Sequence, residues 1–552
     1  MATQTYHGSG RLGFWPWETG LRFSRGREPS LLIGRGTYLR RYLPIWPAGT
    51  HAMVVGPTRS GKSSAFYLPN LLEAAAAAKR AKNRAMLPSF VCSDPKAELL
   101  AVAGPELADA GYAIHVYAPG VPRLSEGFDP LPWCLDEAGR VDYASVKDMT
   151  GTVMPSTGKE SDPYWSNAAR LILTASLVVA AKKPGATFGH ALALLYAAPG
   201  QVLELGARLD PWAASQLAFL MENLGENPKV LGTIRSEIPA HLGTFTTPDL
   251  LHIYSSPSFR WPQIWERPTA VFVVARQAQS AMQALAWGSL LAEIRRGPPK
   301  LPRPLILFLD EFANSGKVPN MAEAVTTAAG KGVSIFCGLQ SISQVEAVYG
   351  QDAGAILGNL VNRIVFPGSD PATAQQLSNG LGKKSVHVQT RSDTHTGVAS
   401  WQASYVPREV MTADEISRMG GQWVGRDNSP PPILFHRLGK YGARIGTCPY
   451  YLDSRFKHLG NVDQEARLDP WRHPLDHGKT LQGLADEFIA MSRPSGLLSS
   501  DSPPEEGGAS PALPLSQEQD REATVMEEAD DPTVGGTPQI RDIGLEDIFG
   551  GR

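Results

Sequence analysis

Residues 51–72 read HAMVVGPTRSGKSSAFYLPNLL, and the fold class follows from them. HAMVV is an apolar run of strand length, GPTRSGK is a glycine-rich turn, and Ser63 to Lys82 is rich in Ala and Leu, which favour helix. Strand, loop and helix form the setting that the pattern GxxxxGK[ST] requires, and Gly56, Pro57, Thr58, Arg59, Ser60, Gly61, Lys62 and Ser63 match it. The glycines permit a tight turn whose N–H groups face phosphate oxygens, and the amino end of the helix adds its dipole. Lys62 is expected to reach the β and γ phosphates and Ser63 to ligate magnesium, with Ser64 completing the nucleotide-binding stretch.

A nucleotide site needs a second element that holds magnesium and activates water. Leu305-Ile306-Leu307-Phe308-Leu309-Asp310-Glu311 supplies one, an apolar strand ending in two acids. A buried strand delivers both carboxylates to the carboxyl edge of the sheet, where α/β proteins bind ligands. Asp310 is expected to hold magnesium, directly or through a bound water, and Glu311 to polarise the attacking water. Ser334-Ile335-Phe336-Cys337-Gly338-Leu339-Gln340 is a further apolar strand, and its terminal amide can bond both the γ phosphate and the lytic water.

Short apolar runs also occur at Phe90–Cys92, Ile114–Tyr117, Ala270–Ala275 and Arg363–Phe366, and most intervals between such runs read as helical. The pattern implies an α/β fold with a mostly parallel central sheet covered on both faces. Residues 136–255 differ, with helical periodicity and few strand signals, and read as an all-helical insertion. The expected organisation is a lead-in over 1–46, a nucleotide-binding domain over 47–135 and 256–456, the insertion over 136–255, and an extension over 457–552. From about Ser492 that extension is acidic, Pro- and Ser-rich and poor in aromatics, the composition of a disordered tail.

With these motifs in hand, the sequence resembles the TraG/TraD-type coupling proteins of type IV secretion and bacterial conjugation, relatives of the FtsK and HerA ring translocases. The resemblance rests on GPTRSGKSSAFYLPNLL (56–72), Ser93-Asp94-Pro95-Lys96-Ala97-Glu98-Leu99, FDPLPW (128–133), LFLDEFANSGKVP (307–319), GLQSISQ (338–344) and Cys448-Pro449-Tyr450-Tyr451, in the family's order. It implies a RecA-like P-loop ATPase that binds ATP and magnesium and works as a DNA-stimulated homohexamer. It further implies a substrate-recognising role for the helical insertion, and relaxosome proteins, secretion-channel components and single- or double-stranded DNA as partners. Asp94 and Lys96 match the family's DPK element. Family members usually begin with two transmembrane helices, whereas the longest apolar run here, Leu171 to Ala181, is half the roughly 20 residues a span needs. A membrane-anchoring partner or a soluble ring are the two ways to meet that departure. For the arginine that a neighbouring subunit supplies, Lys331 stands where the arginine is sought, and Arg363, near the tip of the next strand, is the substitute candidate.

Charge completes the picture. The formal net charge is -2, but residues 501–552 hold 13 acidic and 3 basic residues, a net of -10, which leaves 49 basic and 41 acidic residues, or +8, in the first 500. A basic body suits DNA, and Ile543, Leu545, Ile548 and Phe549 suit an acidic tail that docks an accessory protein. Cys92, Cys134, Cys337 and Cys448 form no metal-ligand spacing, and Pro474 between His473 and His477 argues against zinc there. A reducing, cytoplasmic location follows, or a peripheral one on the cytoplasmic face of the inner membrane. The expected function is an ATP-driven coupling protein that moves DNA or protein substrates into a secretion channel. The alternatives are a soluble FtsK/HerA-like double-stranded DNA translocase and a non-hydrolysing nucleotide-binding adaptor.

Overall fold

The computed structural model describes residues 9–23, 29–35, 39–45, 49–156, 163–196, 208–224, 236–297, 303–393, 399–419, 431–475 and 478–492. The acidic tail, His477 and the chain after Ser492 lie outside the described residues. The strands are β1 (Ser30–Arg35), β2 (Arg40–Pro44), β3 (Ala52–Val55), β4 (Ser89–Ser93), β5 (Ala113–Tyr117), β6 (Thr269–Val273), β7 (Leu305–Leu309), β8 (Val333–Leu339), β9 (Asn362–Val365), β10 (Lys383–Asp393), β11 (Ala399–Glu409), β12 (Pro432–Arg437) and β13 (Ala443–Gly446).

Eleven of these strands form one sheet in the order β2-β1-β13-β12-β9-β3-β8-β7-β4-β6-β5. From β9 to β5 every pairing is parallel. AMVV, TAVFV and LILFL are buried throughout, because helices cover both faces and leave no solvent side for polar residues. Two of the polar residues admitted to this core are bonded in it: Ser89 Oγ donates to the Ile264 carbonyl at 2.7 Å and Gln283 Nε2 donates to Ser93 Oγ at 3.2 Å. From β9 outward the pairings are antiparallel, through β12, β13 and β1 to β2, so β1 and β2 end the sheet on the side opposite β5.

The helical stretch shares one hydrophobic core with a face of the sheet, and Tyr117 of β5 and Tyr254 exchange a hydroxyl hydrogen bond at 2.9 Å. Phe128 pairs with Phe259, and its N–H donates to the Ile253 carbonyl at 2.9 Å. Asp129 Oδ1 accepts the N–H groups of Leu131 (3.0 Å) and Phe188 (2.9 Å), fixing the start of helix Phe188–Tyr196. Helices Tyr143–Val153, Pro163–Ala181, Pro211–Leu224 and Pro248–Ser255 belong to the same stretch, and Leu173, Val178, Leu192 and Tyr254 lie in the core it shares with Leu307 and Ile335 of the sheet. Helix Leu481–Ser492 packs on it through Leu484 and Phe488. No helix among the described residues is long and apolar enough to cross a membrane.

Strands β10 and β11 stand apart as a two-stranded antiparallel ribbon in unbroken register from Lys383 and Glu409 to Asp393 and Ala399. Trp401 and Tyr405 on it are exposed.

Candidate nucleotide site

The phosphate loop leaves the carboxyl end of β3, and Gly56 N–H donates to the Leu339 carbonyl at 3.0 Å, which sets the loop against the tip of β8. A Cβ on Gly56 would stand 2.6 Å from Ser60 Oγ and 2.7 Å from Phe366 Cβ, so glycine is required there. Arg59 (φ 64°) and Gly61 (φ 94°) take left-handed backbone to close the turn. The chain enters helix Leu68–Arg80 through a π-helical turn, Ser63–Tyr67, a distortion that collects at functional sites. Lys62 is buried, and its ammonium donates to the carbonyls of Gly56 (2.5 Å) and Pro57 (3.2 Å). Ser60 Oγ is turned inward with no hydrogen-bond partner among the described residues.

β7 carries Asp310 and Glu311 to the same edge, with β8 between it and β3. Burial pushes the Asp310 carboxyl up to about 6, against the pull of Lys62, and Glu311 adds to the rise. Burial lowers Lys62 while Asp310 and Glu311 hold it up, and Lys96 lowers it further. Lys62, Lys96, Asp310 and Glu311 therefore share one electrostatic site. Glu311 has left-handed backbone (φ 52°), and its carboxylate accepts Asn314 Nδ2 at 3.2 Å. Asp94 is buried at the end of β4, accepts the Leu100 N–H at 2.8 Å, and is pushed up to about 7 by burial. Gln340 is half-buried directly after β8, beside the loop. Ser63 and Ser64 open the turn after Lys62, and Ser64 Oγ donates to the Gly61 carbonyl at 3.4 Å.

The two candidates for a trans-acting cation lie elsewhere. Arg363 is near the amino tip of β9, second in the strand and opposite Met53, and so at the edge of the sheet away from the phosphate loop. Its guanidinium packs over Gly380, with Nη1 2.9 Å from where a Cβ would stand. Lys331 precedes β8 at that same edge and caps helix Ser280–Arg296, donating to the carbonyls of Ile294 (3.0 Å) and Arg295 (2.7 Å).

The sequence reading missed Tyr67 and Gly338. A Cβ on Gly338 would lie 2.5 Å from Tyr67 Oη and 2.6 Å from Asp310 Oδ1, so the phenol and the carboxyl converge over a residue that must be glycine. Tyr67 Oη is buried without a partner among the described residues, and burial first and Asp310 second raise it well above the usual phenol range. Their signals, a tyrosine in an apolar helix and a glycine inside a strand, are too common to stand out. A cavity of about 580 Å³ lies away from this site, lined by Arg35, Arg40, Glu73, Arg444 and Cys448.

The family model for type IV secretory system conjugative DNA transfer matches residues 19–464. The chain belongs to that family. It is 24% identical over 419 residues to Protein VirD4 of Agrobacterium fabrum, covering 72% of this chain and 59% of VirD4, so it spans less than two thirds of that relative. It is 25% identical over 462 residues to conjugal transfer protein TraG of Escherichia coli, covering 76% of this chain and 69% of TraG. Among solved structures, plasmid coupling protein TrwB in complex with the non-hydrolysable ATP analogue ADPNP aligns with a TM-score of 0.50 at 18% identity, over 80% of this chain and 96% of that one. The fold of this coupling-family chain is thus TrwB-like, and the family match embraces the phosphate loop, the acidic pair and Gln340.

Proposed function

We propose that this chain is an ATP-driven coupling protein that hydrolyses ATP as a homohexamer and delivers DNA, with its bound proteins, to a type IV secretion channel. The observation that carries the reading is the convergence of Lys62, Asp310 and Glu311 at one sheet edge within a family-matched chain. The nucleotide-bound TrwB relative supports ATP as the ligand. The residues fit that ligand, since the orphaned Ser60 hydroxyl and the carbonyl-held Lys62 ammonium are groups that phosphate oxygens satisfy.

In this reading Lys62 leaves the Gly56 and Pro57 carbonyls for the β and γ phosphates, while loop N–H groups orient the chain of phosphates. Ser63 and Asp310 would hold magnesium, which would supply charge neutralisation at the phosphates. Glu311 takes the proton of the attacking water, and Gln340 bonds the water and γ phosphate and passes the change along β8. Lys96, exposed beside the site, faces the phosphates, and the buried Asp94 holds the turn that carries it through the Leu100 N–H. Lys331 and Arg363, at the amino edge, act on a site only if a neighbour's phosphate loop reaches that edge. The chain works in the cytoplasm at the membrane face, with relaxosome and channel proteins as partners and the acidic tail as a docking segment for an accessory protein.

The test is turnover by the purified protein. Lys62→Ala and Glu311→Gln are expected to abolish ATP hydrolysis, and DNA to stimulate the wild type. An assembled wild-type ring that binds ATP yet shows no turnover, with or without DNA, would overturn the motor reading in favour of an adaptor.

A further inference from the structure

The amino-terminal segment displays large apolar side chains in solvent. Leu12, Phe14, Trp15 and Trp17 are 38%, 58%, 47% and 67% exposed, and Leu438 on the β12–β13 turn is 37% exposed. The three rings are contiguous, since Trp15 and Trp17 stack with centroids 5.1 Å apart and Phe14 meets Trp15 edge-on at 5.3 Å, and Gly13 N–H ties the segment to the β12–β13 turn through the Gly442 carbonyl at 2.7 Å. Backbone hydrogen bonds and a stacked cation hold the display in place. Glu18 turns inward, its Oε2 accepts the N–H groups of Phe14 (2.9 Å) and Trp15 (3.0 Å), and the Arg41 guanidinium lies under the rings of Phe14 and Phe23.

Cations surround this wedge. Arg11 pairs with Glu18 and covers the Tyr441 ring, Arg437 packs on Gly20, Lys440 Nζ donates to the Trp17 carbonyl at 3.2 Å, and Arg22 is exposed beside them. Over residues 11–22 and 437–441 the balance is four cations against one buried acid. Because Arg437 pairs with Asn362 at the start of β9, the wedge sits at the amino edge of the sheet, opposite the phosphate loop.

We propose that this patch is a membrane-docking surface, which lays Phe14, Trp15, Trp17, Leu12 and Leu438 into the headgroup layer of an anionic bilayer while Arg437 and Lys440 meet lipid phosphates. Exposed apolar patches rimmed by polar groups mark interaction sites, and Trp with flanking Lys and Arg suits a lipid interface. Single-stranded nucleic acid suits the patch less well, because Trp15 and Trp17 already spend one face on each other and Leu12 and Leu438 offer a base nothing to stack on. The inference rests on the membrane placement proposed above and not on the motor reading.

The experiment is co-sedimentation of the full chain, without nucleotide, with vesicles of phosphatidylcholine alone or with about 30% phosphatidylglycerol. Wild-type protein is expected to bind the anionic vesicles, and the doubly substituted Trp15→Ala, Trp17→Ala protein to bind about tenfold more weakly, with Lys440→Glu reducing binding selectively for anionic vesicles. ATP hydrolysis in solution, unchanged in both variants, reports that they fold and keeps a failed motor distinct from a failed docking surface. Equal vesicle binding by wild type and variants overturns the patch while leaving the membrane placement standing. Absent wild-type binding, or variants that lose an oligonucleotide instead of vesicles, overturns the inference as well.

Discussion

At the scale of single residues the site is governed by crowding and by burial of charge. Gly338 has no room for a methyl, since Tyr67 Oη and Asp310 Oδ1 both occupy the space a Cβ would fill. Gly338→Ala is therefore expected to displace the Asp310 carboxyl and lower ATP hydrolysis about 100-fold, the scale of a displacement near 1 Å. Its stability cost should stay at about 1–3 kcal/mol, the range for overpacking. Unaltered hydrolysis would mean that Asp310 is free to shift, or takes no part. Asp94 offers a pH test. Its carboxyl is raised to about 7 by burial, so its proton stabilises the folded state below the usual carboxylate range near pH 4, and that contribution is lost as pH rises through 7. Nucleotide-free protein should lose stability between pH 5 and 8, and Asp94→Asn, which keeps an acceptor for the Leu100 N–H, should make the slope shallower. Since a tenfold change in proton affinity is worth about 1.4 kcal/mol, the gain at pH 8 is expected to reach about 2–4 kcal/mol. Denaturant titrations at the two pH values measure it, and identical slopes would show that Asp94 is ionised without cost.

At the scale of elements, strand direction decides which charged residues can meet. Lys62, Asp310, Glu311 and Gln340 follow the carboxyl ends of β3, β7 and β8, whereas Lys331 and Arg363 stand at the amino ends of β8 and β9. The Lys331 ammonium bonds the last carbonyls of helix Ser280–Arg296 and opposes the negative end of its dipole. Lys331→Ala should then cost about 1 kcal/mol of stability with little change in kcat. A collapse of kcat at intact stability would identify Lys331 as a trans-acting group after all. The same logic explains what was legible in the sequence. Strands β4, β6, β7 and β8 are buried on both faces and read as unbroken apolar runs ending in polar tips. The fold class and the meeting of Lys62 with the acidic pair could be inferred from these runs. The antiparallel flank escaped, because β1 pairs with β13 across 411 residues, Arg35 opposite Gly446, and local periodicity carries no word of pairing across that distance. Which end of β9 Arg363 marks was not legible, because polar residues mark both ends of a strand alike.

At the scale of the whole chain the overall charge of -2 conceals a basic body and an acidic tail, since the first 500 residues carry +8 and residues 501–552 carry -10. Long-range fields follow net charge, and attraction to DNA phosphates grows with it at low ionic strength. Truncation after Ser500 turns a weakly acidic protein into a basic one without touching the phosphate loop or the acidic pair. The truncated protein is expected to bind DNA more tightly at about 50 mM salt, to lose most of that advantage by about 200 mM, and to keep the hydrolysis rate of the full chain without DNA. Tightening that persists at high salt would argue against a screened field as the cause. No tightening at any salt would confine the tail to protein partners, and a pull-down comparing full-length and truncated chains from the native cells would then show whether a relaxosome component is lost. Both results bear on how DNA would gain access to the basic body, because a tail that weakens DNA binding at low salt makes engagement depend on whatever neutralises its acidic residues.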